Sequence, residues 1–303
     1  MKRVAVCVVL MLGLLAVASA QQFTQWSAPV NMGPVVNSQW NDTCVSVSKN
    51  GLSLYYATYR PAPVGVGGLD LFVSKRATVN DPWGPPQLVP NVNSTVQESC
   101  PALSLDEHRL YFASARPGGC GGLDIYVSRR RDRTDDFGWQ APVNLGCIVN
   151  SPFLDGCETL FEDETGTVVM YFGSLRPCGP GSYDIYASRM KDDDTFGPAE
   201  LVAELSGLDE DSCPAVRRDG LEVIFYSTRS GGLGNADLWT ATRASTKDPW
   251  SVPVNLTGLN SSAYDGGKMS FSFDGRQLYF RSNRAGGYGY GDLYVATREK
   301  LRQ

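Results

Sequence analysis

Short apolar runs rich in Val, Ile, Tyr and Phe recur along the whole chain, separated by turn residues, and no stretch carries a helical period. The run from Ser272 to Arg298, SFDGRQLYFRSNRAGGYGYGDLYVATR, shows the unit most clearly. An apolar strand ends in Ser-x-Arg, a glycine-rich loop follows, and Asp opens a second apolar strand. The Ser/Thr-x-Arg ending occurs five times, at Thr58-Tyr59-Arg60, Ser114-Ala115-Arg116, Ser174-Leu175-Arg176, Ser227-Thr228-Arg229 and Ser282-Asn283-Arg284. Eight residues after each Arg, or ten in the first copy, stands the strand-opening Asp: Asp70, Asp124, Asp184, Asp237 and Asp292. A further strand in each copy begins with an aromatic residue and soon meets proline: Trp26, Trp83, Trp139, Phe196 and Trp250. The pattern predicts an all-β chain with four short strands per copy.

A period of roughly 53 to 60 residues with four strands is the signature of a β-propeller, whose repeats bury their faces only against their neighbours. Five copies predict five blades. The chain enters on the Trp-x-x-Pro strand, Phe23 to Asn31, and stops after the third strand of its last copy. The N-terminal strand is therefore expected to complete the fifth blade, built otherwise from residues 265–299, and to close the ring without a free edge.

Residues 1–20 read as a secretory leader: Lys2 and Arg3, an apolar run from Val4 to Val17, then Ala18-Ser19-Ala20. That run is too short to span a bilayer. A single propeller of residues 21–303, secreted or periplasmic and monomeric, is expected. Removing Lys2 and Arg3 leaves 25 of the 27 basic residues against 32 acidic ones, a formal charge of −7. An acidic surface argues against a nucleic-acid partner, which needs clustered Lys and Arg, and no later segment suggests a membrane span.

Candidate chemistry lies just before each first strand. One acid stands there per copy: Asp42, Glu98, Asp155, Asp211 and Asp265. Propeller topology delivers them to one mouth of the central channel, where a ring of carboxylates would raise one another's pKa values or recruit a cation. Otherwise they accept hydrogen bonds from neighbouring backbone N–H groups. No cofactor is implied, although Ca²⁺ is the cation such a ring would take. Two residues on sits a cysteine in four copies, Cys44, Cys100, Cys157 and Cys213, with Gly267 or Lys268 in the fifth. Cross-blade disulfides Cys44–Cys100 and Cys157–Cys213 are one reading; a four-thiolate metal site and buried free thiols are the others. Cys120 and Cys147, in two loops of one blade, form a further candidate pair. Trp40, Phe153 and Tyr264 flank the acids, and Tyr288 and Tyr290 decorate the fifth glycine-rich loop; rings beside carboxylates suit a sugar site. The Arg and Asp flanking each glycine-rich loop are read as an intra-blade pair that pins the loop. His108, the only histidine, lies in a turn on the other face and reads as solvated.

The pattern Asp-Gly-x-x-Leu-Tyr-Phe-x-Ser-x-Arg, followed by a glycine-rich loop and Asp-Leu-Tyr-Val, resembles the WD40-like, TolB-type (PD40) propeller repeat of bacterial exported proteins. The resemblance covers essentially the whole mature chain. It implies an extracytoplasmic propeller that binds proteins or envelope components. The expected function is thus a non-catalytic binding or scaffold propeller that recognises a protein or cell-envelope glycan at the channel mouth, with no catalytic residues. The alternative is a five-bladed glycoside hydrolase that uses Asp42, Asp155 and Asp211, with Glu98 as the acid of raised pKa. Features shared by all copies are read as blade structure, and departures from them as candidates for function.

Overall fold

The computed structural model describes residues 23–301. The leader expected over residues 1–20, Cys7 included, lies outside them. The described residues form five four-stranded antiparallel sheets in a ring, a five-bladed β-propeller. Blade one consists of Asp42–Val47, Ser53–Thr58, Asp70–Lys75 and Gln87–Leu88, paired in that order. Blades two to four repeat the plan over residues 98–144, 155–201 and 211–255. Blade five takes Asp265–Phe271, Gln277–Ser282 and Asp292–Thr297, and its outer strand is Val30–Asn31. Val30 pairs with Val295 and Asn31 with Tyr294, so the N-terminal segment closes the ring.

The repeated polar residues share one register row. In blade two, Glu98 lies opposite Ser114 and Ser114 opposite Asp124; in blade three, Asp155, Ser174 and Asp184 stand in the same relation. Neighbouring blades are tied at this row. The backbone N–H of each acid donates to the carbonyl just before the third strand of the preceding blade, at Gly291, Leu69, Leu123, Tyr183 and Ala236, over 2.7–3.0 Å. Below the row the core is apolar and continuous between blades: Tyr55, Ala57, Leu71 and Val73 of blade one pack with Leu110, Phe112 and Trp139 of blade two. Each fully buried large side chain contributes roughly 1.5–3 kcal/mol. The rim aromatics are capped by guanidinium groups, with Arg76 over Trp83, Arg130 over Trp139, Arg243 over Trp250 and Arg298 over Trp26 at 4.1–4.4 Å.

The glycine-rich loops are glycine-rich because the next blade presses on them. A Cβ on Gly289 would strike the carbonyl oxygens of Trp40 and Ser38, and one on Gly121 those of Phe153 and Ser151. The inner strands carry a second irregularity, a register shift after their second residue. The residue at the bulge has a left-handed backbone: φ is 53° at Cys44, 56° at Cys100, 59° at Cys157 and 51° at Cys213. Gly267, at 69°, fills that place in blade five, so Lys268 stands one position later. A bulge re-aims the side chains that follow it, and here it turns them toward the axis.

Candidate functional site

The five acids of the first strands are all fully buried. Each is held within its own blade. Ser151 donates its N–H and its hydroxyl to Asp155 at 2.6 and 2.7 Å, Ser174 adds a hydroxyl at 2.6 Å, and Arg176 closes an ion pair at 2.8 Å. Glu98 has the same set from Ser94, Ser114 and Arg116, the last at 3.1 Å. Asp265 is held by Ser261 and Arg284, and Asp211 by the Gly207 N–H and Arg229. The same arginines donate to carbonyls of the lead-in segments, at Val36, Val92, Val149, Leu205 and Leu259. This corrects the expected partner of the Ser-x-Arg arginine. It binds the first-strand acid, while the third-strand Asp gathers loop N–H groups, as Asp292 does from Tyr288 and Gly289.

Asp42 is the exception in the row. Arg60 stands 3.7 Å from its Oδ1, which has no hydrogen-bond partner among the described residues. Burial pushes the Asp42 carboxyl above the usual range, outweighing the nearby Thr58 hydroxyl, the Ser38 contacts and Arg60, which all pull it down. Glu98, by contrast, is tied by three partners, Ser94, Ser114 and Arg116.

Departures from the repeat meet beside Asp42. The residue before each Ser/Thr-x-Arg is Ala57, Ala113 and Gly173 in blades one to three, but Tyr226 and Arg281 in blades four and five. Arg281 donates to the Asn41 side chain at 2.9 Å and lies 4.8 Å over the Tyr264 ring; Tyr264 packs on Tyr226 at 5.7 Å. The Tyr226 hydroxyl donates to Glu210. Glu210 is partly exposed. An arc thus runs from Asn41 through Arg281, Tyr264 and Tyr226 to Glu210. Trp40 and Phe153 stand 36% and 43% exposed on this face, and Tyr288 and Tyr290 are exposed beside Trp40, whose carbonyl accepts the Tyr290 N–H. Sequence reading missed Glu210, Tyr226 and Arg281. The signal for Tyr226 and Arg281 was the break in a column otherwise filled by small residues; Glu210 stands outside that column.

The axis beneath is closed by side chains. Cys157 is bonded to Cys213, and Cys120 to Cys147; Cys44, Cys100 and Cys178 are not bonded in the structure. Glu158 and Lys268 follow the bulges of blades three and five and are buried. Lys268 Nζ reaches the carbonyls of Val45 and Pro101 at 3.0 and 2.5 Å. Burial pushes Glu158 up to about 8, against the pull of Lys268, and pushes Lys268 down to about 8. A raised carboxyl contributes stability that is full below its unfolded value near 4.5 and is lost as pH rises through 8. Lys268 adds no slope in that window, because its depressed value acts above 8. Melting curves of wild type and Glu158→Gln are therefore expected to converge at low pH, with the variant relatively more stable by pH 8; a gap that does not change with pH would contradict this. Toward the opposite mouth, a cavity of about 110 Å³ is lined by Lys268, Lys49, Arg218, Phe271 and Phe273. His108 sits in a turn with Nδ1 3.1 Å from the Arg130 carbonyl. Among the described residues no group of three His, Cys, Asp or Glu side chains is spaced to hold a metal ion, and no helix is long and apolar enough to cross a membrane.

No protein-family model matches the sequence, and neither does any curated protein. Solved structures do match. An endo-arabinase from Bacteroides thetaiotaomicron superimposes with a TM-score of 0.59 at 18% identity, over 92% of this chain and 99% of that one. An arabinanase from Bacillus subtilis gives 0.58 at 14% identity over 90% and 97%, and an α-L-arabinofuranosidase from Lactobacillus brevis 0.57 at 14% over 89% and 93%. At these identities the likeness establishes the shared five-bladed fold. The expected resemblance to WD40-like, TolB-type repeat proteins is corrected to this extent: the solved structures matched here are glycosidases. The expected non-catalytic, protein-binding scaffold is corrected in the same way: these neighbours are enzymes, which favours the alternative glycosidase reading over it. The motif misled for a physical reason. Ser-x-Arg, the loop glycines and the strand-opening Asp are what this blade needs to hold its acid and its loops, so they report blade geometry rather than kinship.

Proposed function

We propose that the chain is a glycoside hydrolase-type propeller that acts on a polysaccharide rich in arabinose or xylose, at the face bearing Asp42 and Glu210. The observation that carries this reading is the likeness of fold over about nine-tenths of both chains to enzymes that cleave arabinans and arabinofuranosides. The site's chemistry supports it. Glycoside cleavage uses two carboxyl groups in unlike environments, one protonated to assist the leaving oxygen and one ionised to activate water or attack the sugar. Four acids of the row are alike and committed to their arginines. Asp42 is more loosely held, with a carboxyl that burial pushes up and a buried Oδ1 that makes no hydrogen bond among the described residues, which suits the proton donor. Glu210 is partly open to solvent and aligned by Tyr226, which suits the base or nucleophile. Trp40, Phe153, Tyr288 and Tyr290 offer rings for sugar faces. The disulfides fit an exported protein.

The test is release of reducing ends from arabinan and xylan, and of nitrophenol from aryl arabinofuranosides and xylosides. Turnover of at least one substrate is expected. A folded protein inert toward all of them removes the reading.

A further inference from the structure

Four cysteines converge on the propeller axis, and only two of them are bonded to each other. Cys44 and Cys100 have their Sγ atoms 3.2 Å apart, inside the separation at which unbonded sulfurs rest, and Cys100 is 3.1 Å from Cys157. We propose that Cys44 and Cys100 form a second axial disulfide, which joins blades one and two as Cys157–Cys213 joins blades three and four. This inference is independent of the enzymatic reading.

Three observations carry it. First, the two pairs occupy equivalent places: each links the left-handed bulge residues of adjacent inner strands, 56 residues apart. The Cα separation at Cys157–Cys213 is 4.7 Å, within the range a disulfide spans. The repeat therefore supplies a matching placement for Cys44 and Cys100. Second, the pairing is forced. Gly267 interrupts the ring between Cys213 and Cys44, so the sulfurs form an open series 44, 100, 157, 213. Only the pairs 44–100 and 157–213 use all four between neighbours. Third, Cys44 is set up as the nucleophile. The Cys100 thiol, then the Thr43 hydroxyl and the Lys268 N–H, hold it down to about 6 against burial. A thiolate is the species that attacks a disulfide.

The step balances with a disulfide oxidant of the export compartment. The Cys44 thiolate attacks one oxidant sulfur and expels the other as a thiolate. Cys100, losing its proton, then attacks Cys44 Sγ and releases the second oxidant thiol. One S–S bond forms in the protein, one is reduced in the oxidant, and the two protons end on the oxidant's thiols. Both cysteines are buried in the closed ring, at 7% and 5% exposure. The bond therefore forms as the inner strands assemble, and resists reductants afterwards.

The experiment is disulfide mapping of the full chain exported to an oxidising compartment, denatured in an alkylating agent without reductant, digested and weighed. A cross-linked peptide pair carrying Cys44 and Cys100 is expected, with Cys178 the alkylated cysteine among residues 23–301. Alkylation of both Cys44 and Cys100, or a Cys100–Cys157 link, overturns the proposal. In the Cys44→Ser variant Cys100 becomes alkylatable, and the melting temperature falls by roughly 5 °C or more, because a 56-residue loop is no longer closed. If unreduced wild type and the variant melt together, the bond is absent.

Discussion

Arg176→Ala is expected to destabilise the protein by about 3–5 kcal/mol, a fall in melting temperature of roughly 10 °C or more, because it strands a buried charge. Asp155 is fully buried, and Arg176 is its only ion-pair partner among the described residues. The guanidinium also holds the Val149 carbonyl at 2.7 Å and lies 4.6 Å over the Tyr186 ring, so the lead-in segment and the core lose a support together. Blade one supplies an internal control. Arg60 stands 3.7 Å from Asp42, and the lock is looser. Arg60→Ala should cost distinctly less in the same thermal or denaturant unfolding measurement. Equal losses in the two blades would mean that the ion pair is not what the row contributes.

Asp42→Asn and Glu210→Gln are each expected to lower kcat by about 100- to 10,000-fold on a cleavable glycan, the range for loss of a general acid or base. Asn and Gln keep the shape of the acids they replace. The Asp42→Asn amide oxygen can still accept from Ser38, and Gln at 210 can still accept from Tyr226. What each loses is the carboxyl proton chemistry. KM should change little, since the proposed site holds the sugar on its aromatic face. Trp40→Ala and Tyr290→Ala should show the reverse, a raised KM with kcat nearly kept. Wild-type kcat in Glu210→Gln would assign the chemistry elsewhere.

The ring of blades was legible because every copy repeats the same strand pattern, and the phase of that pattern located the closing strand at the N-terminus. The site was less legible. Asp42, Glu98, Asp155, Asp211 and Asp265 looked like an open ring at the channel mouth. Their side chains instead turn into the blades, because a serine four residues upstream, at 38, 94, 151 and 261, places an N–H and a hydroxyl against them. That serine follows Asn37, Asn93, Asn150 and Asn260, whose amides clamp the third strand, as Asn93 does at Leu71. The Asn-Ser pairs are visible in the sequence, yet their role needs a chain fold that brings residues 22 or more apart together. Glu158 and Lys268 were hidden differently. A bulge shifts the strand period by one, so simple alternation does not assign them to the axis.

The central claim is that the four acids locked to their arginines are scaffold, and that Asp42, whose lock is looser, forms the site together with the departures from the repeat. It is tested most directly by kcat/KM per folded molecule for wild type, Ser151→Ala and Glu210→Gln on one arabinose- or xylose-containing substrate. Ser151→Ala loosens a scaffold acid without stranding its charge, and should match wild type. Glu210→Gln should fall at least about 100-fold at unchanged stability. Loss of activity in Ser151→Ala with wild-type activity in Glu210→Gln would contradict the account.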